Sequence, residues 1–341
     1  MAVKALQTIH LAHSPDADDA FMFWALAAGK IDTDDRRYVH ELGDIESLNR
    51  RALAGELEVT AVSLHAYAYL ADRYALLAHG ASIGDRYGPR IVARAARPAD
   101  PRAALGARSL LVAVPGELTT AYLALKLFQP AARHVVVPFD QIEEYVAAGR
   151  ADAGLLIHEG QLTYADRGLH LWVDLGEWWH DETGLPLPLG GNVVRRDLGD
   201  ALMRDIARDL KASIQYGLAH RAEALAHATA YGRGLDASRI DRFVGMYVNA
   251  YTVDYGPTGR RAVGATQQQL PVLLNRCARA RSASLRRNSA VRSSTFFSSS
   301  LRAVRSSPSA RFRNVVPRPT ASPVIANARK RGRSKKPAVK G

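Results

Sequence analysis

The feature that most limits what this chain can fold into is a repeated unit: a short apolar run that stops at a turn residue and is followed by a helix. Thr8-Ile9-His10-Leu11-Ala12-His13 alternates as a strand and stops at Ser14-Pro15, where proline ends sheet pairing. Asp18-Asp19 precede the apolar stretch Ala20 to Ala28, and Gly29 closes it, which is the acidic start and glycine end of a helix. Tyr38 to Leu42 gives a second strand, Asp44 opens a helix ending near Gly55, and Leu57 to Ser63 gives a third strand. The order β-α-β-α-β favours a parallel, right-handed α/β layer.

After an alanine-, proline- and arginine-rich crossing at Arg97 to Ala107, the unit recurs. Leu110 to Val114 ends at Pro115-Gly116, and Thr119-Thr120 start a helix to about Phe128. His134 to Pro138 reads as a strand and Asp140 caps a helix to about Ala148. The segment Ala151 to Tyr164 then stops the apolar run Gly154-Leu155-Leu156-Ile157 at His158-Glu159-Gly160. In open α/β sheets ligands sit beyond the carboxyl ends of strands, and a histidine there titrates near neutrality, so His158 is the candidate proton acceptor. Its competing reading is a capping or core histidine.

Other positions carry two readings. The Asp16, Asp18, Asp19 trio suits a hard cation, yet lacks the glycine and distal glutamate of a calcium loop, and helix capping accounts for it better. Ser63 either caps a helix from Leu64 to Leu70 or meets a ligand, and Thr119 and Thr120 either cap their helix or, with its first N–H groups, hold a carboxylate or phosphate. Trp178-Trp179 read as packing rather than stacking residues, and Thr183 to Gly191, with its prolines and glycines, reads as hinge material.

Net charge misleads here. From Thr266 to Gly341 there are 18 Lys+Arg and no Asp or Glu, leaving 28 basic against 33 acidic residues before that point. A nucleic acid partner is therefore argued only for the basic tail, which is expected to be disordered. Its abrupt onset also fits a segment read in a shifted frame. The single cysteine, Cys277, lies in that tail, so the body holds no disulfide or thiolate metal site. No signal peptide pattern and no run of about 18 apolar residues occurs, which points to the cytoplasm without membrane insertion. P-loop, GxGxxG, HExxH and GxSxG motifs are missing, so nucleotide hydrolysis, hydride transfer, zinc proteolysis and serine hydrolysis lack their usual supports.

Taken in order, Ser14-Pro15-Asp16-Ala17-Asp18-Asp19-Ala20-Phe21-Met22-Phe23, Val62-Ser63, Pro115 to Tyr122, Ile157-His158-Glu159 and Thr183 to Gly190 resemble the 1,4-dihydroxy-6-naphthoate synthase family of the futalosine route to menaquinone. The resemblance spans roughly Leu6 to Val263. It implies an α/β, two-lobed, periplasmic-binding-protein-like class II fold with two crossovers, near Arg94 and Leu189. The expected division is 1–94 plus 190–265 for the first lobe, 95–189 for the second, and 266–341 for the tail.

The resemblance further implies conversion of cyclic dehypoxanthine futalosine to 1,4-dihydroxy-6-naphthoate, without metal or organic cofactor. His158 matches the proton acceptor, Thr119 and Thr120 a substrate-contacting pair, and Ala61, Val62 and Ser63 a substrate-contacting triplet around a small anionic substrate. Two positions depart from the family pattern. Ala61 stands where a lysine heads the triplet, and Asp16-Ala17-Asp18 where cysteine-proline-asparagine is common. The family's C-terminal helix, due after Val263, is expected to be absent, leaving apolar surface uncovered. A solute-binding protein for a small anion and a lyase like chorismate dehydratase are the competing readings. The missing signal peptide argues against the first, and the His158-Glu159 and Thr183 to Gly190 motifs argue against the second.

Overall fold

The computed structural model describes residues 6–269, so most of the expected tail lies outside the described residues. Strands β1 (Gln7–His13), β2 (Arg36–Leu42), β3 (Val59–Ser63), β4 (Tyr74–Leu76) and β5 (Ser82–Gly84) come first. They are followed by β6 (Arg90–Ala93), β7 (Leu111–Val114), β8 (Arg133–Val136), β9 (Ala153–Leu156), β10 (His170–Asp174) and β11 (Leu187–Arg195). One sheet has the order β2-β1-β3-β11-β4, with β5 also on β11, and the other has the order β10-β6-β9-β7-β8.

The first three strands pair in parallel, as the alternating pattern requires, and so do β7, β8 and β9. The strands entering after each crossing run the other way: β11 is antiparallel to β3, and β6 is antiparallel to β9. The chain passes from the first sheet to the second between Gly84 and Arg90, and returns after the helix Leu175–Thr183, whose end is set by Gly184 in the left-handed conformation. β6 thus already belongs to the second sheet, ahead of the crossing expected near Arg94, and β11 is already paired to β5 at Leu187, ahead of Leu189.

Each sheet has its own core. The helix Ala17–Ala27 buries Phe21, Met22 and Phe23 against Leu210 and Ile214 of the helix Asp200–Ala219 and Phe243 of the helix Ala237–Tyr247. In the second sheet Val112, Val114 and Leu155 pack with Leu125 and Trp179. Trp179 is buried with its indole N–H donating to Pro186 O, a packing role as expected. At about 1.5–3 kcal/mol for each large apolar side chain fully buried, these two clusters hold the lobes as separate bodies.

The expectations for the end of the body are corrected. Residues 256–269 are helical, so a helix does continue past Val263 and order extends beyond Ala265. Ala262, Val263 and Thr266 are buried on one of its faces, and the Gln267 side chain donates to Leu64 O at 2.6 Å. The polar run Thr266-Gln267-Gln268-Gln269 hides this helix from a hydrophobicity reading, although glutamine is a good helix former. Of the expected tail, 270–341 lies outside the described residues.

The two crossings touch each other. A Cβ on Gly176 would fall on the carbonyl of Tyr87, and one on Gly88 would sit 2.9 Å from Gly176 Cα. Gly176→Ala is accordingly expected to destabilise the protein by about 1–3 kcal/mol through overpacking against rigid backbone, read as a lower urea midpoint with an unchanged m-value.

Candidate active site

Between the lobes, beyond the carboxyl ends of β1, β3, β7 and β9, lies a cavity with about 720 Å³ of empty space, part of it open to solvent. All six residues singled out from the sequence line it: Ala61, Val62, Ser63, Thr119, Thr120 and His158.

His158 lies two residues past the end of β9 and holds a backbone φ of 56°, in the left-handed region. For a residue other than glycine this strain costs on the order of 1 kcal/mol and is kept only where the surroundings enforce it. Here the ring meets Asp16 of the opposite lobe, with Nδ1 2.9 Å from Asp16 Oδ2. Nε2 is buried without a hydrogen-bond partner, and the ring packs edge-on against Phe139 at 4.8 Å. Burial favours the neutral imidazole, but the charge and hydrogen bond of Asp16, helped by Glu159 and Asp18, outweigh it and raise the pKa to about 9. The neutral imidazole expected at neutral pH is thus replaced by an imidazolium at rest.

The capping reading of Asp16 is also corrected. It occupies the N-cap position of the helix Ala17–Ala27, but its side chain makes no cap hydrogen bond. Instead it accepts from the Ser14 hydroxyl, pairs with His158, and forms an ion pair with Arg233 Nη2 at 2.6 Å. Arg233 in turn donates to Glu159 Oε2 at 2.9 Å and lies over the Phe139 ring. Burial disfavours the charged Asp16, yet His158 and Arg233 hold its pKa below the usual carboxylate range.

Asp18 and Asp19 have no such cations. Asp19 accepts from the Ser14 N–H at 2.8 Å, and burial together with Asp18 and Asp16 raises its pKa well above normal. Asp18 lines the cavity, and burial with the charge of Asp16 pushes it up to about 7. No group able to hold a metal ion occurs among the described residues, so the trio is not a cation site there.

The hydroxyls resolve differently from one another. Thr119 Oγ1 donates to Gly116 O at 2.8 Å and accepts from Tyr122 N–H at 3.1 Å, which caps the helix Thr120–Phe128. Thr120 Oγ1 donates to Leu189 O at 2.5 Å and accepts from His65 N–H at 3.1 Å, joining the lobes. Both hydroxyl protons are committed within the protein. The first N–H groups of that helix, on Thr120 and Ala121, have no intrahelical acceptor. Ser63 does not cap, since its helix, Leu64–Tyr67, receives no side-chain cap bond; its Oγ accepts from Asn49 Nδ2 at 3.1 Å. Ala61 adds only a methyl to the wall.

Sequence reasoning did not select Asp16 as a histidine partner, nor Asn192, whose Oδ1 is buried and unpartnered at the cavity wall. Nor did it select Arg233, which lies in a short segment with φ of 46°. Only Asp16 had a local signal, an acid directly after the Ser14-Pro15 turn. Arg233 had none, because its role comes from the distant elements it joins.

The menaquinone biosynthesis family model matches residues 9–268. The chain belongs to the menaquinone-biosynthesis enzymes. It is similar to 1,4-dihydroxy-6-naphthoate synthase of Thermus thermophilus, with 43% identity over 76% of this chain and 92% of the relative. Among solved structures it resembles protein AF1704 of Archaeoglobus fulgidus, with TM-score 0.71 and 45% identity over 77% of this chain and 96% of the other. The Candida albicans CA3427 product, described as having the generic periplasmic binding protein fold, gives TM-score 0.58 at 14% identity, covering 80% of this chain and 94% of the other. That likeness speaks to fold alone, and the fold is the periplasmic-binding-protein-like one expected. No helix among the described residues is long and apolar enough to cross a membrane.

The internal bonds of the threonine pair make them structural as much as binding residues. Thr119→Val is expected to lose about 1 kcal/mol as a removed helix cap. Thr120→Val leaves buried partners unsatisfied and is expected to lose about 1–3 kcal/mol, both read by chemical denaturation.

Proposed function

We propose that this enzyme is a carbon–carbon lyase of the cytoplasm that converts cyclic dehypoxanthine futalosine to 1,4-dihydroxy-6-naphthoate, using its own side chains and no metal or organic cofactor. The observation that carries the reading is His158 Nε2, buried and unpartnered at the cavity wall while Nδ1 is held by Asp16. The name of the Thermus relative supports the product, 1,4-dihydroxy-6-naphthoate. In this reading His158 removes the proton that starts ring opening and carbon–carbon cleavage, the sugar-derived fragment leaves, and aromatisation of the product drives the step. The substrate's anionic group rests on the Thr120 and Ala121 N–H groups, where the helix end favours negative charge. A solute-binding role is less well supported, since simple capture has no need of a strained, oriented imidazole.

The proton balance has a pH signature. With its pKa at about 9, His158 is protonated at neutral pH, and a base must be free of its proton, so the rate should climb with pH and level off near 9. A second reading is favoured by Asp18, which faces the same cavity with its pKa pushed up to about 7. There Asp18 accepts the proton and the imidazolium donates one, and the profile is a bell between about 7 and about 9. Incubation of the purified enzyme with cyclic dehypoxanthine futalosine should yield the naphthoate by mass analysis. His158→Ala should lower turnover by about 10²–10⁴-fold with substrate still bound. No product from the wild-type protein, or full turnover by His158→Ala, would remove the assignment.

A further inference from the structure

His158 and its partner arrive from opposite lobes. Asp16 follows β1 of the first sheet, and His158 follows β9 of the second. We propose that Asp16 is the positioning residue of His158, fixing across the inter-lobe gap which ring nitrogen carries the proton and which faces the cavity. The inference rests on the reading of His158 as a proton-transfer group but concerns a different residue.

Chemistry fixes the tautomer. An ionised carboxylate accepts hydrogen bonds and cannot donate them, so the nitrogen 2.9 Å from Asp16 Oδ2 must carry a hydrogen. When the ring is neutral the proton therefore stays on Nδ1, and the lone pair is on Nε2, the buried atom without a partner at the cavity wall. Asp16 is itself held at three points, by the Ser14 hydroxyl, by Arg233 and by His158. Arg233 also engages Glu159, the residue next to His158, so one guanidinium ties the base and its orienting acid to one frame. The groups facing the imidazole are Asp16, Asp18 and Asp19 from the start of the helix Ala17–Ala27, together with Glu159 and Arg233. Of these carboxylates, Asp16 is the one in ion-pair contact with the ring, 2.9 Å from Nδ1.

The arrangement makes the reactive imidazole a product of both lobes. A ligand entering between them separates Asp16 from His158 if the lobes part, and their return restores the orientation. Closure of a two-lobed site commonly completes a reacting constellation in this way.

Asp16→Asn tests the role because asparagine keeps the shape and an acceptor oxygen but removes the charge. Imidazole proton–nitrogen NMR should show His158 titrating near ~6.5, the ordinary histidine range, rather than about 9 as in the wild type. The limb of the rate–pH profile assigned to His158 should move down with it. Limiting turnover should fall about 10–10²-fold as the base weakens, with KM changed less than about threefold. Asp16→Glu should restore part of the charge and move the limb back up. An unchanged His158 titration in Asp16→Asn would overturn the proposal. Activity is not needed for that measurement, so loss of the lyase reading, seen as no product from the wild type, is told apart from loss of the Asp16 role.

Discussion

A buried carboxylate is the constraint around which this site is arranged. Asp16 is fully buried, and an ion in that position costs several kcal/mol unless its oxygens are paired. The chain meets that cost from one local and two distant places: a serine two residues before it, a histidine just past a strand in the other lobe, and an arginine from the far end of the first lobe. Both cationic partners adopt the left-handed backbone conformation to reach it. Strain at two points, with a charged group at the centre, is what a pre-organised site looks like and what a packing core avoids.

The same field sorts the neighbouring acids. Asp16 takes the available positive charge and stays ionised, and by doing so makes ionisation harder for Asp18 and Asp19, which share the helix start but no cation. The helix end alone, worth a few tenths to one kcal/mol, does not offset burial. The result is a cavity wall with one group raised to about 9 and another to about 7, two proton carriers of opposite resting charge within one enclosure.

The architecture serves this arrangement. Two lobes with independent cores meet at their strand ends, joined by crossings that pack closely enough for glycine to be required at 88 and 176. Bridges across the gap, Tyr247 to Gln161 at the cavity wall and Arg239 to Asp166, surround the central pair with further polar contacts. The helix 256–269 then packs back on the first lobe with its own Ala262 and Val263 buried.

Local chemistry made much of this legible. Alternating strands, proline and glycine stops and acidic helix starts define the α/β units, because those signals act within a few residues. Each strand end also pointed to a cavity wall, so His158, Ala61, Val62, Ser63, Thr119 and Thr120 were brought to one place by topology. What the sequence could not show was which hydroxyl proton or carboxylate is already taken. Thr120 bonds to Leu189 and His65, and Asp16 bonds to His158 and Arg233, through space rather than along the chain. Identity and spacing therefore determined the elements and the reactive residue types. Tertiary structure alone decided their protonation and orientation, because both depend on burial and on charges carried by segments far apart in sequence.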